Sequence, residues 1–192
     1  MTGKSSVLLI LPWYCYPPLT GSLQRYYHLA RWLARDFAVT LVAPPNRESL
    51  AAVDFLPPYE KLGIEVVPAA RDRRLRHRVR RKIKYTAKSL WHRLVPANPE
   101  VESRSNDDVH QAARRVVTGR RFDFTVLGTT FLADMVGVLP REQRGITVLD
   151  AQNVESSVWE QWWRGLPEGP KRQQVGRGWK ALVRFEKRWL PR

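Results

Sequence analysis

Residues 7–43 open with Val7-Leu8-Leu9-Ile10-Leu11 and close with Phe37-Ala38-Val39-Thr40-Leu41-Val42-Ala43. Both runs are short, apolar and rich in β-formers, so they read as strands, the first of them buried on both faces. Between them Pro12-Trp13-Tyr14-Cys15-Tyr16-Pro17-Pro18-Leu19-Thr20-Gly21-Ser22 is a proline-broken loop. From Ser22 the pattern turns helical: Leu23, Tyr26, Tyr27, Ala30, Leu33 and Ala34 recur three and four apart. Thr20 or Ser22 is the expected cap of that helix. A strand, loop, helix and second strand in this order found a parallel, doubly wound sheet. Ligands of such sheets bind beyond the carboxyl ends of the strands, where the loop 12–22 lies. Gly21 lets a ligand approach the backbone, and the helix behind it turns free N–H groups and a positive dipole end to the same place. The plainer reading of Gly21 is a turn residue before a helix cap.

The remaining strands follow by the same criteria. Leu62 to Pro68, Phe122 to Leu127 and Ile146 to Asp150 are apolar runs between polar breaks. A helix capped by Ser105 or Asn106, with Asp107 and Asp108 in its first turn, extends to about Gly119. Residues 131–139 read as a short helix and 140–145 as a polar break. Thr129 and Thr130 follow the fourth strand; Gln152, Asn153 and Glu155 follow the fifth. Asn153 and Ser156 are suitable caps for a helix carrying Trp159, Trp162 and Trp163. Gly165 to Gly178 is rich in glycine, proline and base and predicts a mobile loop, and a last helix runs from Trp179 to Leu190. Five strands with helices between them predict an α/β domain over residues 1–192.

Composition narrows the partners. The 192 residues carry a formal net charge of +15, which calls for an anionic partner: nucleic acid, an acidic membrane surface or an acidic substrate. At 43% hydrophobic residues the chain is globular. The single cysteine, Cys15, excludes an intrachain disulfide, and the four histidines show no ligand spacing, so no metal is expected. The opening apolar run is too short and too quickly broken by Pro12 for a signal peptide or a membrane span. A cytoplasmic protein, soluble or peripheral on the inner face of the membrane, is expected.

Residues 71–94 concentrate the charge. Arg74, Arg78, Arg81 and Lys82 stand among further bases, with Asp72 the lone acid, while Leu75, Val79, Ile83, Ala87, Leu90, Trp91 and Leu94 form one helical stripe. Three readings fit: a helix packed on the sheet with a solvated basic face, an interfacial helix in which Arg74, Arg78, Arg81, Lys82 and Trp91 meet an anionic bilayer, and a nucleic-acid binder. No RNP, KH or zinc pattern accompanies the third.

Two stretches carry a family resemblance. Residues 17–34 read PPLTGSLQRYYHLARWLA and lead into FAVTLVAP; residues 148–156 read VLDAQNVES. Together they resemble the N-terminal domain of family-4-like glycosyltransferases of the GT-B architecture, whose first loop commonly reads P-x-x-G-G-x-x-R and whose later strand ends D-x-H-N-V-E-S. The resemblance implies a Rossmann-like domain on the acceptor side of a two-domain enzyme. It implies a nucleotide-sugar co-substrate, a lipid-linked or polysaccharide acceptor, and no metal or other cofactor; the chain holds no Asp-x-Asp. A second domain with an E-x7-E motif would carry the donor, and residues 1–192 alone are expected to be inactive. Implied substrate-binding residues are Thr20, Gly21, Ser22, Arg25, Thr129, Thr130, Gln152 and Asn153, with Gln152 and Glu155 the catalytic candidates. Ser22 replaces the second glycine, and Gln152 stands where relatives have histidine. Glutamine hydrogen-bonds a sugar hydroxyl but does not take a proton at neutral pH. The alternative is a non-catalytic basic α/β module that binds an anionic membrane or polymer.

Overall fold

The computed structural model describes residues 3–44, 56–69, 98–105 and 107–190. The stretch 71–94, with its proposed membrane contacts Arg74, Arg78, Arg81, Lys82 and Trp91, lies outside the described residues. The chain divides into two compact units, residues 1–70 with 104–152, and residues 71–103 with 153–192.

The first unit is a five-stranded, all-parallel sheet in the order β3-β2-β1-β4-β5. Its strands are β1 (Ser6–Ile10), β2 (Ala38–Ala43), β3 (Glu65–Pro68), β4 (Phe124–Leu127) and β5 (Ile146–Leu149). Registers such as Val7 opposite Val39 and Phe124, and Ile10 opposite Val42 and Leu127, put alternate residues on alternate faces. On one face Val7, Leu9, Val39, Leu41 and Val126 pack with Leu23, Tyr26 and Ala30 of α1 (Gly21–Asp36). On the other Leu8, Ile10, Val42 and Leu127 pack with Val109, Ala112, Ala113, Val116 and Val117. Those five belong to α4 (Asp107–Val117). Helices therefore cover both faces, and the fold is Rossmann-like and doubly wound. The strand order reverses between β1 and β4, which is where such sheets open a crevice at their carboxyl edge.

Among the described residues the unit also has four short elements: α2 (Leu56–Glu60), a 3-10 turn at Thr130–Leu132, α5 (Met135–Val138) and α6 (Arg141–Arg144). The stretch 131–139, read from sequence as one helix, is thus split, and a helical turn occupies the expected break at 140–145. Gly145 ends that turn at φ 59°, and a Cβ there would stand 2.2 Å from the Asp123 carbonyl oxygen. Glycine is required for β5 to lie beside β4.

The second unit, where described, consists of α3 (Pro99–Arg104) as far as Ser103, α7 (Glu155–Gly165) and α8 (Pro170–Trp189). The segment expected as a mobile loop at 165–178 is mostly helix. Pro170 takes the first turn of α8, where a missing N–H costs nothing. Gly176 and Gly178 are buried within it because tryptophan rings of α7 lie against them: their Cβ atoms would meet Trp163 Nε1 at 2.9 Å and Trp159 Cζ3 at 2.6 Å. Trp163 in turn stacks on Trp179, with centroids 5.2 Å apart.

Candidate functional site

The carboxyl edge of the first unit is built by the loops after β1 and β4 and by the start of α1. Thr20 holds the cap position of α1 in extended conformation, but its side chain makes no capping bond. Its Oγ1 lies 3.4 Å from Ser22 Oγ instead. The first intrahelical bond runs from Gln24 N–H to the Thr20 carbonyl, so the N–H groups of Gly21, Ser22 and Leu23 precede the helical ladder. Gly21 is the first helical residue, and nothing lies within 4 Å of where its Cβ would stand. Its φ is not positive, so space rather than strain distinguishes this position.

One turn on, Arg25 donates from Nε to Asp150 Oδ2 at 3.1 Å and from Nη2 to Oδ1. That pairing raises the guanidinium pKa above its ordinary value. Tyr26, buried beneath, brings its hydroxyl to the Thr129 side chain; burial is the main reason its pKa is pushed up to about 12. Tyr26 therefore stays a neutral phenol, able to donate one hydrogen bond. Thr129 and Thr130 are both buried, and Thr130 Oγ1 has no hydrogen-bond partner. Gln152, half-buried, likewise leaves Nε2 without one.

Arg104 enters the same edge. Its guanidinium lies over the Trp13 ring, 4.7 Å from the centroid, and over Phe131 at 4.4 Å. It bridges the loops after β1 and after β4, the two strands flanking the topological switch. Contacts of this kind contribute about 0.5–2 kcal/mol each, depending on desolvation. The loop beneath is anchored by Cys15, whose N–H donates to Tyr59 Oη at 3.1 Å. Burial pushes the Cys15 thiol pKa far up, so it is no nucleophile at neutral pH.

Ser105, His110 and Asp134 also meet: Ser105 Oγ lies 2.8 Å from His110 Nε2 and donates to Asp134 Oδ1 at 2.5 Å. Asp134 Oδ2 stands 3.3 Å from the same Nε2. A hydrolytic triad needs the carboxylate on Nδ1 and an acceptor Nε2 facing the serine. Here serine and aspartate share one ring nitrogen and the serine proton goes to the carboxylate. The cluster ties the start of α4 to the connection after β4 and activates no nucleophile.

The structure thus brings Thr20, Gly21, Ser22, Arg25, Thr129, Thr130 and Gln152 into one unit, on segments that follow β1, β4 and β5. Asn153 and Glu155 belong to the other unit. Neither Asn153 nor Ser156 caps α7 as expected: Val154 holds the cap position with no side-chain bond, and the Ser156 N–H donates to Glu186 Oε1 at 3.0 Å. Sequence reading missed Tyr26, Arg104 and Asp150 as site residues. The first fell in an apolar stripe, the third ended a strand, and Arg104 carries no local pattern. Among the described residues no group of histidine, cysteine, aspartate and glutamate is arranged to hold a metal ion, and no helix is long and apolar enough to cross a membrane. No protein-family model, curated protein or solved structure matches the chain.

Proposed function

We propose that the first unit is the acceptor-side domain of a glycosyltransferase of the GT-B architecture, similar to family-4-like enzymes. The complete enzyme would transfer a sugar from a nucleotide-sugar donor, held mainly by a second domain, to a lipid-linked or polysaccharide acceptor. One observation carries the reading: the open N-terminus of α1 at Gly21, beside the point where strand order reverses. Partly negative oxygens of a sugar or phosphate are favoured there by the helix dipole and unpaired N–H groups.

Two features add support. Arg104 brings a guanidinium to the same edge, where a glycosyl transfer develops negative charge on the departing diphosphate. Thr130 Oγ1 and Gln152 Nε2 are polar atoms without partners, which in a folded protein calls for a ligand or water. In the reaction the acceptor hydroxyl oxygen attacks the anomeric carbon and the bond to the diphosphate oxygen breaks. Gln152 is assigned the orientation of a hydroxyl. The hydroxyl proton leaves with the departing diphosphate. The remaining contribution is positioning.

The test is direct. The gene is read past the codon for Arg192, and the longest product is assayed for sugar transfer from a panel of nucleotide sugars to membrane extracts. A second α/β domain with spaced glutamates, and transfer that residues 1–192 alone do not perform, support the proposal. A stop codon with no partner domain encoded nearby, together with binding of the chain to anionic vesicles or polymers, favours the non-catalytic module.

A further inference from the structure

In the second unit α8 exposes Gln173, Arg177 and Lys180, spaced four and three apart and so on one helix face. Gly176 lies beside them, and the pyrrole edge of Trp163 from α7 lies against it. A Cβ on Gly176 would stand 2.9 Å from Trp163 Nε1 and 3.1 Å from Cδ1. These five residues line a notch of about 310 Å³. Its aromatic wall is held in place: Trp163 stacks on Trp179 at 5.2 Å between centroids and carries the Arg172 guanidinium over its ring at 5.0 Å. The Trp163 indole N–H has no hydrogen-bond partner among the described residues. Arg177 and Lys180 have no acid partner among them either. Neighbouring acids are already engaged. Glu160 pairs with Arg164 at 2.6 Å, and Glu168 stands 3.9 Å from Arg172. Glu186, the one acid of α8, is buried and accepts from the Ser156 N–H.

We propose that this notch binds a small phosphate monoester, its phosphate held by Arg177, Lys180 and the Trp163 indole N–H. Charge selects the ligand. Two unpaired cations line the notch and no acid does. A carboxylate or a phosphodiester brings one negative charge and leaves one cation uncompensated. A phosphate monoester brings about −1.5 to −2 at pH 7. Donor chemistry selects it too. Arginine offers a planar fork suited to phosphate oxygens, lysine a compact point charge, and the indole a donor that cannot accept. The Gln173 amide is free to donate to the same group. The stacked ring fixes the indole N–H before a ligand arrives, which lowers the ordering cost of binding. The volume lies at the lower end of small-molecule sites, about 300–1,000 Å³, which suits a phosphate with a small substituent. The inference stands apart from the transferase reading, since the notch belongs to the other unit and its readout is binding alone.

Nuclear magnetic resonance on the nitrogen-15-labelled 192-residue chain tests it, with methyl phosphate as the probe and chloride holding ionic strength constant. The Trp163 indole signal is assigned by its loss in Trp163→Phe. The expected result is a saturable, one-to-one shift of that signal, with affinity lowered about tenfold by Arg177→Gln and by Lys180→Gln. Both substitutions fall on exposed positions of the helix, so the fold tolerates them, and the rest of the spectrum checks that it does. Methyl sulfate, of similar shape but with a single charge, is expected to bind about tenfold more weakly. A shift that never saturates, or affinity unchanged in both variants, overturns the proposal. So does equal binding of methyl sulfate, which shows that the notch does not read the second charge. Dimethyl phosphate, the diester unit of nucleic acids and phospholipids, binding as tightly as methyl phosphate also overturns it and marks a polymer or membrane surface instead.

Discussion

Arg25 and Asp150, 125 residues apart in sequence, form a two-pronged ion pair that ties the start of α1 to the end of β5. β4 lies between β5 and the strands that α1 covers, so the pair reaches across the carboxyl end of the sheet beside the candidate site. The arginine side chain is 54% exposed, and exposed pairs contribute little, about 0.2–1 kcal/mol. A double-mutant cycle with Arg25→Met and Asp150→Asn is expected to give a coupling in that range at low salt. It should shrink at about 1 M salt, where charges are screened within about 3 Å. Melting temperatures should fall by no more than about 4 °C for either change. If Arg25 contributes to binding, ligand affinity should fall much further than stability in Arg25→Met. Parallel losses of both would mark the pair as a fold element only.

Gly21→Val addresses the opening of α1. The new side chain meets nothing within 4 Å and the backbone is not in the left-handed region. Stability should therefore stay within about 0.5 kcal/mol of wild type. The branched side chain occupies the space in front of the free N–H groups, so acceptor use by the complete enzyme should be lost, while Gly21→Ala retains much of it. A normal melt with normal acceptor affinity in Gly21→Val would remove this loop from the site.

At the opposite edge, Asp123 accepts from the Ser6 N–H at 2.7 Å and from Ser6 Oγ at 2.9 Å. These bonds hold its carboxyl below the usual carboxylate value. The charged form is thus favoured by folding. The stabilisation is complete above the ordinary aspartate pKa, about 3.9, and is lost as pH falls through the lower folded value. Urea unfolding of wild type and Asp123→Asn at several pH values between 7 and 3 should show a gap that closes towards the acid end. A gap that is constant with pH would mean the bonds do not depend on the charge.

The strands were legible because each is a short apolar run set off by turn residues, and burial on both faces of β1 left no other reading. β3 begins later than its sequence suggests. Gly63 sits at φ 72° and its N–H bonds back to the Glu60 carbonyl, so Leu62 to Ile64 end α2 rather than start a strand. Half of the candidate site was legible, because Thr20 and Gly21 end the loop between β1 and α1, and Thr129 and Thr130 come just after β4. Arg104 and Asp150 were not, since their partners lie far away in sequence. The same reason hid the partner of the Ser156 N–H in the first turn of α7, which is the Glu186 carboxylate 30 residues on. Glycines at 176 and 178 were read as loop formers. Only the tryptophan rings packed on them explain their place inside a helix.

Gly178 allows those opposing readings to be separated by sign. Intrinsic propensity alone says that Gly178→Ala in a helix interior stabilises by about 0.5–1 kcal/mol. The structure sets the new Cβ 2.6 Å from Trp159 Cζ3, far inside van der Waals contact. Relief by movement is restricted, because Trp159 also packs edge-on against Trp162 at 5.3 Å between centroids. The Gly178 carbonyl is held too, accepting from Nδ2 of the buried Asn98 at 3.1 Å. Overpacking of this kind costs about 1–3 kcal/mol, which outweighs the propensity gain. Gly178→Ala should therefore lower stability, read as an earlier denaturant midpoint. In a Trp159→Leu background, where the clashing ring is gone, the same change should become neutral or stabilising. A stabilising effect in the wild-type background would show that the ring moves aside freely and that the glycine serves no packing role.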